Sequence, residues 1–194
     1  MRAPGLTWGR LPLFVWTLYA TALLQIIATP VIGITLVLLI AENVFGIGVF
    51  NSAIGGDPVL FEHMFWFYSH PVVYIMILPA MGIVSEIIPV FSRKPIFGYK
   101  AIVLSSVGIA AVSFFVWGHH MFITGMNPFL GSVFVFTTLL IAIPSAIKVF
   151  NYIATLWRGN LQFTPAMLFS IALVSTFITG GLTGLILGDS ALDI

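Results

Sequence analysis

The sequence predicts an all-α, polytopic transmembrane bundle of about five spanning helices, itself part of a larger bundle. Two compositional facts and one pattern carry this expectation. Hydrophobic residues make up 60% of the 194-residue chain and charged residues only 7%, whereas a soluble domain carries about a quarter charged residues. The mean hydropathy is +1.14. The apolar residues fall in runs of about 20 or more, the length a helix needs to cross a bilayer with every backbone group bonded internally. These runs are too numerous and too long for a signal peptide.

The runs place helices at roughly Leu11 to Ile40, Pro58 to Val90, Ala101 to Thr124, Leu130 to Leu156 and Pro165 to Leu187. Turn-forming residues separate them: Gly46, Gly48, Gly55 and Gly56, then Arg93-Lys94-Pro95, then Gly125-Met126-Asn127-Pro128, then Gly159-Asn160. Thr164-Pro165 reads as an N-cap followed by proline at the first helical position. No linker, repeat or low-complexity run divides the chain, so residues 1–194 read as a single transmembrane domain. Pro30, Pro71, Pro79, Pro89 and Pro144 fall inside helices, where each removes a backbone donor and permits a kink.

Charge placement predicts the orientation. With the N-terminus cytoplasmic, Arg2, Arg10, Arg93, Lys94, Lys100 and Arg158 all fall on the cytoplasmic side, and Glu42, Asp57, Asp189 and Asp193 fall outside. Lys148 is the exception, inside the fourth helix. A net charge of +1 without a basic cluster gives no nucleic-acid surface. With no cysteine, disulfides, thiolate metal sites and iron–sulfur clusters are excluded, and any metal must be held by nitrogen or oxygen.

Three of the four histidines lie in two short stretches, Trp66 to Tyr74 (Trp-Phe-Tyr-Ser-His-Pro-Val-Val-Tyr) and Trp117 to Met121 (Trp-Gly-His-His-Met). At about 1.5 Å per residue, His70 lies roughly 18 Å along the second helix from Pro58, and the third helix returns to bring His119 and His120 to the same half of the membrane. Adjacent helical residues point about 100° apart, so both imidazoles face a partner only if something between them is gripped. With His70 opposite, a metal is the economical reading. Three imidazoles without a carboxylate suit copper, zinc or iron and leave a position open for chemistry. Interhelical hydrogen bonds explain a single intramembrane histidine better than three at one depth. His63 reads as a wet helix end beside Glu62.

Tyr74 follows His70 by one turn on the same face and can give up a proton and an electron. Thr138, Ser145 and Lys148 form one stripe on the fourth helix, and an intramembrane lysine is a functional residue by default. Ser85 and Glu86, at the cytoplasmic end of the second helix, are placed to feed protons toward Lys148 and Tyr74. Trp66 and Trp117 read as aromatic filling near the site, and Gly180-Gly181-Leu182-Thr183-Gly184 as a close-packing element.

These residues resemble subunit I of the haem-copper respiratory oxidases, the cytochrome c and quinol oxidase group. The matching text is Met-Arg-Ala-Pro-Gly at 1–5, Gly-Asp-Pro at 56–58, His-Pro-Val-Val-Tyr at 70–74, Trp-Gly-His-His-Met at 117–121, Ile-Pro-Ser-Ala-Ile-Lys at 143–148 and Gly-Gly-Leu-Thr-Gly at 180–184. The resemblance covers essentially the whole chain. It implies that His70, His119 and His120 bind the copper of a binuclear centre and that Tyr74 is bonded covalently to His70. It further implies that Thr138, Ser145 and Lys148, with Glu86 near the entrance, form a lysine-type proton channel. The implied activity is reduction of dioxygen to water by copper and a high-spin haem, with electrons from cytochrome c or quinol and coupled proton translocation. Subunits II and III, the lipid bilayer and a bacterial cytoplasmic membrane complete the implied setting.

Two departures from the family pattern shape the expectation. Most relatives carry a glutamate two positions after the first histidine, where this chain has Val72. Tyr68-Ser69 instead precedes His70, as in a variant subgroup in which this pair ends the second proton route. The family's haem-ligating histidines, on helices before and after this region, have no counterpart here. The chain therefore reads as a fragment covering the fifth to ninth helices of the subunit, which would bind copper but would neither assemble haem nor turn over alone. A nitric oxide reductase resembles this plan but lacks counterparts of Tyr74 and Lys148. A membrane metal or proton transporter would need access from both faces.

Overall fold

The computed structural model describes residues 4–193, so Arg2, residues 1–3 of the first motif and Ile194 lie outside the described residues. Five α-helices follow one another: α1 Leu13–Phe45, α2 Pro58–Ser92, α3 Tyr99–Val112, α4 Pro128–Leu156 and α5 Pro165–Leu187. Five segments are long and apolar enough to cross a membrane, the third running from Tyr99 through Met121. No strand occurs among the described residues.

Three helices start with the same device, a capping side chain followed by proline. Asp57 accepts from the Val59 amide at 2.9 Å, Asn127 from the Phe129 amide at 2.9 Å and Thr164 from the Met167 amide at 3.4 Å. The proline that follows each cap needs no amide partner and has φ preset for a helix. Gly46 closes α1 in the left-handed conformation at φ 66°, the usual glycine C-cap. Beyond it, one carboxylate oxygen of Glu42 accepts from three consecutive amides, Val49, Phe50 and Asn51, at 2.9, 2.6 and 2.9 Å. That single acceptor winds the loop between α1 and α2.

Side-chain bonds fasten the opposite end of the bundle. Tyr99 donates to the Leu11 carbonyl at 2.6 Å, and Trp16 donates to the Tyr99 oxygen at 3.2 Å. Lys94 reaches the last turn of α4, donating to the carbonyls of Ala154 and Trp157 at 2.7 and 2.6 Å. These bonds gather Arg10, Arg93, Lys94, Lys100 and Arg158 at one end, hereafter the basic end.

Inside, Leu13, Val84, Ile88, Ile102 and Tyr152 pack in one cluster, and Ala20, Leu24, Leu78, Ile109 and Ile141 in a second with Tyr74 against it. Lipid is as apolar as these side chains, so close approach rather than water exclusion holds such helices together. Gly82 provides it between α1 and α2, because a Cβ there would meet the Thr17 hydroxyl. By contrast, Gly180 and Gly181 have open space where a Cβ would sit, so the expected close packing is not found there within the described residues.

The third span departs from the expected continuous helix of 101–124. Its α-helix ends at Val112 and continues as two 3₁₀ turns, Ser113–Phe115 and Trp117–Met121. The break has a tertiary cause: the Thr137 hydroxyl of α4 takes the Phe115 carbonyl at 2.6 Å. Gly118 then lies so close to the Phe134 ring that no Cβ fits. Gly118→Ala is expected to cost roughly 1–3 kcal/mol through overpacking, read as a lowered thermal midpoint of the purified protein; an unchanged midpoint would mean that the ring yields freely.

Candidate metal centre

Trp66, His70 and Tyr74 are spaced four residues apart, so they line one face of α2 as a column. Opposite the column sits the second 3₁₀ turn, where successive side chains diverge by about 120° instead of the 100° of an α-helix. Its tight winding is visible in the His119 amide, which bonds the Val116 carbonyl three residues back at 3.2 Å.

The column and the turn bring three imidazoles together. One ring nitrogen each from His70, His119 and His120 lies within 4.8 Å of the others. His70 Nδ1 and His120 Nε2 are 3.0 Å apart. The rings of His70 and His119 are 4.6 Å apart at 87°, and those of His119 and His120 are 4.4 Å apart at 55°. Metal–imidazole bonds of about 2.0–2.1 Å allow nitrogen separations up to about 4 Å, so closing the group needs shifts of under about 1 Å.

Each imidazole is oriented by a neighbour. His119 Nδ1 pairs with the Thr138 hydroxyl at 2.9 Å, which leaves its Nε2 for the shared point. His120 lies flat against Trp66, with centroids 3.9 Å apart and an interplanar angle of 10°. His70 is buried, and its Nε2 has no hydrogen-bond partner among the described residues. In a membrane interior such an orphan is costly, so its environment needs an explanation. The Tyr74 ring stands edge-on to it at 4.7 Å and 61°.

His63, half-buried in the second turn of α2, is tied to the histidine turn. Its Nδ1 accepts from Trp117 Nε1 at 3.2 Å, and Trp117 in turn packs edge-on against Phe67 and Phe134. This pair pins the start of the histidine turn to α2.

A cavity of about 890 Å³ opens beside the imidazoles, lined by His70, Tyr74, His119, Thr138, Ser145 and residues of α5. Thr138 and Ser145 thus share it, although Ser145 donates its hydroxyl back to the Ile141 carbonyl at 2.9 Å. Lys148 is 0% exposed, and its Nζ has no hydrogen-bond partner among the described residues. Ser85, on α2, contacts the Tyr152 hydroxyl at 2.9 Å. Glu86 is exposed at the basic end, where its carboxylate accepts from the Phe14 amide at 3.3 Å and caps α1. Tyr68 and Ser69 are half-buried on α2 and are not among the described residues that line the cavity. Tyr68 precedes His70 by two residues, about 200° around the helix, so it faces away from the imidazoles.

The family model described as Cytochrome C and Quinol oxidase polypeptide I matches residues 1–194. The chain belongs to this family. Among its relatives, cytochrome c oxidase subunit 1 of Thermostichus vulcanus is 48% identical over 194 residues, which is 100% of this chain and 35% of that protein. Cytochrome c oxidase subunit 1 of Bacillus subtilis (strain 168) is 47% identical over 193 residues, 100% of this chain and 31% of that protein. The probable cytochrome c oxidase subunit 1-alpha of Streptomyces coelicolor is 49% identical over 195 residues, again 100% of this chain and 33% of that protein. The chain spans about a third of the length of these curated relatives.

Sequence reasoning named the imidazoles but treated Trp66 as filling and Thr138 only as a proton-path residue. The spacing of four from Trp66 to His70 to Tyr74 was the available signal for the first. Nothing local in the sequence signals the Thr138–His119 bond, which joins α4 to the turn. Thr138→Val, which keeps the shape and removes the hydroxyl, is expected to lower metal affinity at the imidazole group about 10–100-fold. Metal content after dialysis against graded chelator measures it, and retention equal to the unmodified protein would remove Thr138 from the site.

Proposed function

We propose that this chain forms the copper-holding part of a terminal respiratory oxidase subunit I, in an enzyme that reduces dioxygen to water and moves protons across the membrane. The observation that carries this reading is the convergence of His70 Nδ1, His119 and His120 Nε2 beside a cavity that also contains Tyr74. His70 through Nδ1, His119 through Nε2 and His120 through Nε2 would hold copper. Bound there, copper would act with a high-spin haem to deliver electrons to dioxygen. Both haems would be ligated by residues outside this chain, and electrons would come from cytochrome c or quinol within an assembly that includes subunits II and III.

The chain's own residues then have separable tasks. Thr138 fixes the His119 ring, and Trp66 fixes the His120 ring and covers it from water. Tyr74 supplies a proton and an electron close to the reacting oxygen, so the O–O bond can break without release of peroxide. The orphaned Nε2 of His70 supports a covalent bond to a ring carbon of Tyr74. Forming that bond removes one hydrogen from each partner, two electrons and two protons in all, with dioxygen as the oxidant. Lys148 carries protons from the basic end toward Ser145, Thr138 and Tyr74, with Ser85 and Glu86 on the entry side. Tyr68-Ser69 serves a second route that reaches the centre around the other side of α2 in place of a glutamate at Val72. The basic end faces the cytoplasm, and the membrane is the bacterial cytoplasmic membrane.

The complete subunit, purified with its partner subunits, tests this. Tyr74→Phe is expected to keep copper and haem while dioxygen consumption falls by about 100-fold or more. His120→Asn is expected to lose both copper and turnover. Haem-free protein that binds copper and transports it would overturn the oxidase reading. For the second route, Tyr68→Phe is expected to lower the protons translocated per electron, read by pH change in vesicles; unchanged turnover and translocation would remove Tyr68 from the mechanism.

A further inference from the structure

We propose that Tyr152 is a proton-relay residue at the basic-end approach to Lys148, working through a triangle it forms with the Ser85 hydroxyl and the Met81 carbonyl. The inference rests on the reading of Lys148 as a proton carrier.

Tyr152 and Ser85 are each 1% exposed. The Tyr152 hydroxyl donates to the Met81 carbonyl at 2.9 Å, the Ser85 hydroxyl reaches the same carbonyl at 2.7 Å, and the two hydroxyl oxygens are 2.9 Å apart. A buried phenol needs a partner, and one bond to α2 would satisfy it. Here three contacts compete for two hydrogens. Ser85 can donate to Tyr152 while Tyr152 donates to Met81, or Tyr152 can donate to Ser85 while Ser85 donates to Met81, and both can donate to Met81. Rotation about two C–O bonds interconverts these arrangements, which is the property a proton relay requires. Pro89 adds a further acceptor at this level, because its missing N–H leaves the Ser85 carbonyl without the usual helical donor.

Along α4 the triangle lies on the basic-end side of the lysine. Tyr152, Lys148 and Ser145 are separated by four and three residues and share a face of α4. Helical side chains lean toward the N-terminus, so the Tyr152 ring covers the turn that bears Lys148, and the Lys148 stem leads on toward Ser145. Ser145 lines the cavity with Tyr74. When the Lys148 amine is unprotonated, a proton received on one hydroxyl oxygen from the basic end releases that group's own hydrogen on the far side, for onward transfer to the amine. The amine becomes an ammonium, and hydroxyl rotation resets the triangle with only O–H and N–H bonds exchanged.

The test uses the assembled full-length oxidase and follows, by stopped flow without dioxygen, the rate at which reductant fills the haem-copper centre, in H₂O and in D₂O. Tyr152→Phe keeps the ring and removes the relay. The rate is expected to fall at least about tenfold, with a changed solvent isotope effect and unchanged copper and haem content. Ser85→Ala is expected to show a similar loss that the double variant does not deepen. If Lys148→Met leaves the rate unchanged, the reading of the lysine fails and the relay with it. If Lys148→Met slows the centre while Tyr152→Phe and Ser85→Ala do not, the relay alone is overturned. Should Tyr152→Phe fail to assemble, Ser85→Ala decides: a slowed rate supports the relay and an unchanged rate overturns it.

Discussion

Two adjacent imidazoles reach one point in this protein because the third span stops being an α-helix before it gets to them. The Phe115 carbonyl, drawn to the Thr137 hydroxyl, is the contact on which that depends. An unbroken α-helix rises only about 1.5 Å per residue against about 2.0 Å in the 3₁₀ turns, so it would leave His119 and His120 a few ångströms short of their present height and rotated away from their present directions. Tightening into 3₁₀ turns changes both the angle and the rise. Gly118 lets the turn sit flush on Phe134, and the Trp117–His63 bond fastens its start to α2. The centre is thus set by contacts from α2 on one side and α4 on the other, and α3 contributes little more than the attachment point.

That arrangement explains which parts were legible in the sequence. Helix number and class follow from apolar length alone, because a bilayer leaves the backbone few other solutions. The starts of α2, α4 and α5 follow from cap-proline pairs, a local signal. The grouping of His70, His119 and His120 was accessible from depth, since rise per residue converts position into height. The break at Val112 was not. No proline or polar run marks it, and the groups that cause it, Thr137 and Phe134, lie about 20 residues away on another helix. Glu86 shows the same limit: its position at the end of α2 suggests an entrance, and only the tertiary structure reveals that its carboxylate also caps α1 through Phe14.

Polar groups within the spans divide into two kinds. Most hydroxyls are accounted for by their own helix: Thr21, Thr35, Ser106, Ser145 and Thr155 each donate to the carbonyl four residues back. Such bonds satisfy these groups within their own helix, and Ser145 in addition lines the cavity. A smaller set bonds between elements, among them Thr137 to Phe115, Thr138 to His119, Trp117 to His63, and Tyr152 to Ser85 and Met81. Of these, Thr138 and Tyr152 both stand on α4, the first against the histidine turn and the second nearer the basic end.

Two buried atoms have no hydrogen-bond partner among the described residues, His70 Nε2 and Lys148 Nζ. One stands at the imidazole group and the other further along α4, with Ser145 between Lys148 and the cavity. Sequence selection for packing alone would remove both, since a leucine or methionine fills either volume without an unsatisfied group. On the proposed function each is accounted for by what it does in a state other than the resting one. For His70 that state, on the proposed function, would be one in which Nδ1 grips a metal and Nε2 is bonded to Tyr74. For Lys148 it would be the moment when its amine takes part in proton transfer. A group that is poorly satisfied at rest and briefly satisfied during transfer is suited to passing a proton on, whereas a well-paired lysine would hold it.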